Sequence, residues 1–306
     1  MASSKSGYVS DVWKDSIFDG KVVFCTGGSG SICSAQVRAL VHLGADACIV
    51  GRNEEKAKAK ADDIATVRSG AKVLGIGNVD VRSSANLQSA VEQCVRELGR
   101  IDFVIAGAAG NFLAPIRSLS PNAFKAVIDI DVLGSFNTVK ATLPHVIASA
   151  KAGGVGGRYI LVGANMFQTG LPLQTHVGAA KSAVNALSSH MAIELGPLGV
   201  TSNVIAPGPI GDTEGMDRLT PASDVDKASS AKIPLGRMGR VRDIADATVY
   251  LFSDAGSYVN GDVLIVDGGA WHTGGGAPGH TLAYPEFLIS KEEVGRAVVG
   301  AREAKM

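Results

Sequence analysis

The chain has 306 residues, a mass of 31.3 kDa and 29 basic against 29 acidic side chains. That length suits one large α/β domain with a sizeable core, and a neutral balance at a pI near 7.0 gives no electrostatic footprint for nucleic acid or an anionic membrane surface. No apolar run is long enough to insert in a membrane, no signal peptide is expected, and Cys25, Cys33, Cys48 and Cys94 read as apolar filler in a reducing compartment, without metal-ligand spacing.

Residues 1–19 are polar with scattered apolar side chains and read as an arm ahead of a single domain over 20–272. Val22 to Cys25 is an apolar run of buried-strand length, followed by Thr26-Gly27-Gly28-Ser29-Gly30-Ser31. Ile32 to Leu43 carries apolar residues at helical spacing until Gly44, and Ala47 to Val50 is a second strand. Strand, glycine turn, helix and strand form a βαβ unit of the kind that binds a dinucleotide. Small residues let a pyrophosphate approach the backbone, and the amides at the helix start point at it. Gly27 matches the first glycine of a TGxxxGxG turn, while Ser31 and Cys33 stand where the second and third glycines usually sit. Gly27, Gly28, Ser29, Gly30, Ser31 and Ile32 are therefore cofactor-binding candidates. Arg52, at the end of the second strand, suits the 2′-phosphate of NADPH, whereas an acidic residue there would hold the free ribose hydroxyl of NAD. Asn53 and Lys56 are close enough to help.

Glu54 to Val67 predicts a helix and Val73 to Ile76 a strand ending at Asn78-Val79-Asp80-Val81-Arg82. A helix over Ala85 to Leu98 leads to a strand over Ile101 to Ile105 and then to Ala106-Gly107-Ala108-Ala109-Gly110-Asn111-Phe112. Ser120-Pro121 opens a long helix over Ala123 to Ala148, with a break expected near Pro144. Tyr159 to Val162 is a strand, His176 to Leu195 a helix halted by Gly196-Pro197, and Thr201 to Ile205 a strand ending in Ala206-Pro207-Gly208-Pro209. Residues 211–232 are small and polar and suggest a flap over a site. Val241 to Phe252 is helical, and the last strand, Val263 to Val266, closes at Asp267-Gly268-Gly269. A Gly/Pro-rich tail and a short amphipathic stretch fill 273–306. Strands alternating with helices predict a single doubly wound parallel sheet, a Rossmann fold, with helices on both faces. Ligands then bind outside the carboxyl ends of the strands, where Gly27–Ser31, Arg52, Asp80, Gly107–Phe112, Ala164, Pro207–Thr213 and Asp267 can share one rim.

Thr26-Gly27-Gly28, Asp80-Val81, Ala108-Ala109-Gly110, Lys181 on its helix, Pro207-Gly208 and Asp267-Gly268-Gly269 together resemble the short-chain dehydrogenase/reductase family over about residues 18–272. The resemblance implies further cofactor contacts from Asp80, Val81, Gly107, Lys181, Pro207, Gly208, Pro209, Ile210 and Thr213. That family's usual catalytic set is Asn, Ser, Tyr and Lys, and most of it is missing here. Lys181 matches the lysine, but Val177 stands in the tyrosine's place, Ala164 in the serine's and Asp131 in the asparagine's. Ketone reduction needs an acid beside the carbonyl oxygen, which valine and alanine cannot supply. Either the chain is a silent NADP(H)-binding sensor, or its substrate takes hydride differently; a carbonyl reductase using another acid is the rival among enzymes.

Gly107 to Phe112, Ser120-Pro121-Asn122-Ala123-Phe124-Lys125, Asp129-Ile130-Asp131, His176 to Lys181 and Pro207 to Ile210 resemble the peroxisomal 2,4-dienoyl-CoA reductase branch, the fungal members above all. This resemblance implies NADPH-dependent reduction of 2,4-dienoyl-CoA to 3-enoyl-CoA, an accessory step in β-oxidation. Asp131 and Lys181 are the catalytic candidates, with Asp131 either holding a water or acting as the acid. Asp267 reads either as a second carboxylate or as a turn-forming aspartate. For the acyl-CoA substrate the resemblance implies Arg82 and Arg218 near the phosphates, and Phe112, Ser120 and Asn122 along the acyl and pantetheine path. It also implies a homo-oligomer, dimer or tetramer. The ending Ala304-Lys305-Met306 is a variant of the C-terminal peroxisome signal, which makes an import receptor a partner. His176 reads as structural.

Overall fold

A computed structural model describes residues 15–154, 156–211, 213 and 233–273. Most of the expected arm, Arg218 with most of the flap, and the tail with its last three residues lie outside the described residues. Seven strands form one sheet: β1 (Val22–Thr26), β2 (Asp46–Val50), β3 (Val73–Ile76), β4 (Phe103–Ala106), β5 (Arg158–Val162), β6 (Thr201–Pro207) and β7 (Val263–Val266). Their order is β3-β2-β1-β4-β5-β6-β7, and every neighbouring pair is parallel.

A parallel sheet needs cover on both faces, and the strand sequences obey that requirement by being apolar throughout rather than alternating. Val23, Cys25, Ile49, Phe103 and Ile105 face one core layer with Val37, Leu40, Ile64 and Phe252, from α1 (Ser31–His42), α2 (Glu54–Ala65) and α8 (Val241–Phe252). Val22, Phe24, Cys48 and Val104 face the other with Leu87, Val91, Val146 and Val184, from α3 (Ser84–Leu98), α5 (Gly134–Lys151) and α7 (Thr175–Leu195), the last preceded by the single turn α6 (Met166–Thr169). The chain winds outward in one direction from β1 and in the other from β4. Their carboxyl ends therefore open a crevice at the switch point.

Two expectations are corrected. Phe18, assigned to the arm, is wholly buried with its ring edge-on to Phe103 at 5.5 Å, so the core begins before residue 20. The long helix breaks not at Pro144, which α5 carries internally, but earlier: α4 (Pro121–Ile128) passes into a π-helical segment, Asp129–Leu133, before α5. A π turn holds one more residue than an α turn and reorients the side chains within it. Here it is anchored by Asp131, whose carboxylate is drawn inward, and Asp131 O accepts from Ser135 Oγ at 2.6 Å. Sequence spacing shows a proline but not a tertiary partner that pulls a turn out of register. Among the described residues no helix is long and apolar enough to cross a membrane.

Candidate active site

The crevice floor is the turn from β1 into α1. Gly27 has φ +68°, its N–H donates to Val50 O at 3.1 Å, and Gly30 N–H returns to Gly27 O at 2.9 Å. A Cβ at Gly27 would stand 2.8 Å from Gly107 O, and one at Gly28 2.6 Å from Ile49 Cβ. A Cβ at Gly107 would drive into Cys33 Sγ and stand 3.2 Å from Thr26 O. Backbone thus lies on backbone at this turn. Gly30 caps α1 without a side chain, so the positive end of that helix faces the crevice with only small residues, Ser29 and Ser31, around it. Thr26 Oγ1 accepts from Gly107 N at 3.2 Å and Ala108 N at 3.4 Å, which joins the ends of β1 and β4. Ile32, partly buried, packs against the layer of α1.

Along the rim, Arg52 is exposed one residue beyond Gly51 at the end of β2. Asn53 caps α2, accepting from Lys56 N at 2.8 Å, and Lys56 is exposed in that first turn. Past β3, Val81 is buried against the Gly134 backbone and Asp80 is forked by Arg82, with Nε 3.0 Å from each carboxylate oxygen. The Arg82 guanidinium holds the Asp80 carboxyl down at about 2. Arg82 is at the rim but engaged by Asp80 rather than standing as a free cation.

Across the crevice, Lys181 and Asp131 meet. Lys181 Nζ lies 3.0 Å from Asp131 Oδ2 and donates to Val162 O at 2.9 Å. Asp131 is 1 % exposed, and its Oδ1 accepts from Gly110 N at 2.7 Å. The Lys181–Asp131 contact is close enough for charge attraction yet not aligned as a hydrogen bond, and Oδ2 is buried with no hydrogen-bond partner among the described residues. Lys181 positive charge also reaches the floor. With a hydrogen bond from Cys25 as the larger cause, it draws the Cys33 thiol below its ordinary range despite burial.

The tyrosine's place is filled rather than empty. Val177 is buried in an apolar cluster with Val127 and Ala180, flanked by Ile128, Val132 and Met166. Beside Ala164, Asn165 Nδ2 donates to Asp267 Oδ2 at 2.9 Å. Asp267 also accepts from Gly269 N and Trp271 N, each at 2.8 Å, which is the turn-forming arrangement. Gly208 lies against it so closely that a Cβ would stand 2.8 Å from Asp267 Cα. Pro209 O accepts from Gly239 N at 3.0 Å, Ile210 is buried, and Thr213 Oγ1 donates to Ile210 O at 3.0 Å, so the chain after β6 is folded back onto the same rim.

Phe112 stacks on His176, with centroids 4.2 Å apart. Ser120 spends its hydroxyl capping α4, accepting from Ala123 N at 3.2 Å, and Asn122 is exposed in that helix's first turn. The residues that the sequence reading passed over are Thr26 and Asn165, which tie strand ends together. Each is a polar residue at or just beyond the carboxyl end of a strand, the one signal by which they could have been found.

A family profile described as Enoyl-(Acyl carrier protein) reductase matches residues 27–271. The chain is 52% identical over 278 residues to the peroxisomal 2,4-dienoyl-CoA reductase of Saccharomyces cerevisiae, a (3E)-enoyl-CoA-producing enzyme, spanning 90% of this chain and 92% of that one. It is 40% identical to the peroxisomal 2,4-dienoyl-CoA reductase of Danio rerio, over 86% of this chain and 85% of that one. The crystal structure of a short-chain type dehydrogenase/reductase from Mycobacterium marinum superposes with a TM-score of 0.74 at 30% identity, covering 83% of this chain and 96% of that one. The chain belongs to the short-chain dehydrogenase/reductase family, whose reductases use nicotinamide dinucleotides.

Proposed function

We propose that this member of the short-chain dehydrogenase/reductase family reduces 2,4-dienoyl-CoA to 3-enoyl-CoA with NADPH, within peroxisomal β-oxidation. The observation that carries this reading is the buried Asp131–Lys181 pair in a site where Val177 and Ala164 replace the hydroxyls that ketone reduction needs. The names of the yeast and zebrafish relatives support it.

The residues present fit the cofactor. Gly27, Gly28 and Gly107 let the turn after β1 pack directly on β2 and β4, where any Cβ would meet protein atoms, which leaves the start of α1 facing the crevice to meet a pyrophosphate's charge, and Lys181 is within the crevice for a ribose. When bound, NADPH supplies a hydride. Reduction of a 2,4-dienoyl thioester at its far end, C5, would place negative charge, through the conjugated system, on the thioester oxygen. The Lys181 ammonium lies in a poorly solvated crevice, where a fixed positive charge stabilises a developing anion more than water does. Asp131, buried beside Lys181, organises the proton that goes to Cα from a water brought in with the substrate and replaced in turn from solvent, which completes the 3-enoyl product. No phenol is needed, because the carbonyl oxygen ends the reaction as it began.

Three assays with one readout separate this reading from its rivals. NADPH consumption is expected with a 2,4-dienoyl-CoA, with little on a ketone panel and none without substrate. Turnover of ketones alone would favour a carbonyl reductase, and binding without turnover a silent sensor.

Arg52 supports NADPH over NADH, since an exposed guanidinium at the end of β2 can pair with a 2′-phosphate. Arg52→Asp is expected to remove the preference, lowering kcat/KM for NADPH by roughly 10–100-fold while NADH holds or gains. Equal kcat/KM for both cofactors in the parent protein would rule this out. For location, a reporter fused ahead of Ala304-Lys305-Met306 is expected to enter peroxisomes, and a diffuse cytosolic signal would contradict that address.

A further inference from the structure

Between β4 and α4 the chain runs from Gly107 to Ser120 without helix or strand. A segment of that length is held where side chains and turns fasten it. Its first part is fastened at Thr26 and Asp131, as described above. Its middle is fastened by the entrance to α7. His176 is wholly buried, its Nε2 lies 3.0 Å from Phe112 O, and its ring stacks on the Phe112 ring at an interplanar angle of 24°. A carbonyl oxygen only accepts, so Nε2 carries the hydrogen. His176 Nδ1 is buried with no hydrogen-bond partner among the described residues. Leaving one nitrogen unpaired is unfavourable, and the bond to Phe112 offsets it.

A second tie runs beside the first. Ala114 N–H donates to Leu173 O at 3.1 Å, and Leu173 holds φ +66°, a left-handed conformation that costs a non-glycine residue about 1–2 kcal/mol. Strain at a single leucine persists only where its surroundings over-determine it. Phe112 itself is 36 % exposed, and one face of its ring is covered by His176.

We infer that His176 is a positioning residue for the acyl-CoA substrate: it clamps the loop after β4 to the first turn of α7 and so sets the Phe112 ring at the mouth of the site. This rests on the reading of the chain as a dienoyl-CoA reductase. His176 stands one residue before Val177 and five before Lys181, so the same helix that presents the lysine to the crevice also holds the aromatic wall. The clamp acts on the thioester substrate and not on NADPH: Gly107, at the start of the loop, and Lys181, further along α7, are each fastened by contacts of their own, to Thr26 Oγ1 and Val162 O.

Three variants of the full chain separate the two parts of the clamp. His176→Gln keeps a donor where Nε2 stands, His176→Phe keeps a ring to stack, and His176→Asn reaches neither. For His176→Asn and His176→Phe, KM for the dienoyl-CoA is expected to rise about tenfold, the scale of one lost hydrogen bond. In both, kcat should stay within about threefold and KM for NADPH should not change. His176→Gln should recover most of the loss, and His176→Asn should add nothing to Phe112→Ala, because it acts through that ring. Amide exchange at Asn111–Ala114 should speed up in His176→Asn. Unchanged exchange and unchanged KM in that variant would overturn the clamp, as would a loss carried by kcat or shared equally by NADPH. A parent protein that turns over no dienoyl-CoA overturns instead the function on which the inference rests, and that result is visible before any variant is made.

Discussion

Asp131→Ala is expected to fold, to bind NADPH and to lose roughly 10²–10⁴-fold of its turnover on a 2,4-dienoyl-CoA, the ordinary cost of removing a positioned proton-transfer group. Three features of Asp131 predict a loss on this scale. Its carboxylate is buried, so nothing from solvent can replace it at the same place. Its Oδ1 holds the Gly110 amide, so the loop after β4 loses an anchor along with the charge. Its Oδ2 is the counter-charge to Lys181 in the proposed proton delivery. Asp131→Asn separates these contributions, since an amide oxygen still takes the Gly110 N–H but no longer balances the ammonium. Turnover in Asp131→Asn should therefore stay low although the loop is held. Lys181→Ala should fall by a comparable factor, with weaker NADPH binding as a second effect that Asp131→Ala lacks. Near-parental rates in Asp131→Ala, with an unchanged pH profile, would show the proton path to be wrong and leave the fold and the cradle standing, because those rest on other residues.

Gly107→Ala is expected to abolish measurable NADPH binding at concentrations that saturate the parent, and to lower thermal stability. The added methyl group cannot be placed without moving Cys33 Sγ, and it stands 3.2 Å from Thr26 O and 3.3 Å from Val162 Cγ2. Overpacking of this kind costs about 1–3 kcal/mol, and here the displaced atoms are the floor of the cradle. Gly107 needs no left-handed backbone, so the effect is steric. That yields a sharp control: removing the obstructing sulfur in Cys33→Ala/Gly107→Ala should restore part of both the melting temperature and the affinity for NADPH, read by its fluorescence. A double variant no better than Gly107→Ala would show that Cys33 is not the obstacle.

Strand and helix positions were largely legible in the chain because parallel strands covered on both faces are plain apolar runs, and the helices between them carry their periodicity openly. Val73–Ile76, Val241–Phe252 and Val263–Val266 coincide with the elements found. The glycine turn, the exposed cation at Arg52 and the loss of tyrosine and serine beside Lys181 were legible too, since each is a matter of residue type at a local spacing. A local pattern cannot report which distant group a buried polar side chain meets. The sequence could name Asp131 and Lys181, 50 positions apart, but only the packing of the π segment against α7 makes them an ion pair at 3.0 Å. The same holds for Phe18, polar in its neighbourhood and buried by Phe103, and for Arg82, a free cation by position and a partner of Asp80 in space. Pro144 shows the converse: a strong local signal for a break, overridden because tertiary contacts placed the irregular turn at Asp129–Leu133 instead. Local chemistry chose the elements and the cofactor's cradle; long-range contacts, whose free energy depends on groups brought together only by folding, decided which side chains share the site.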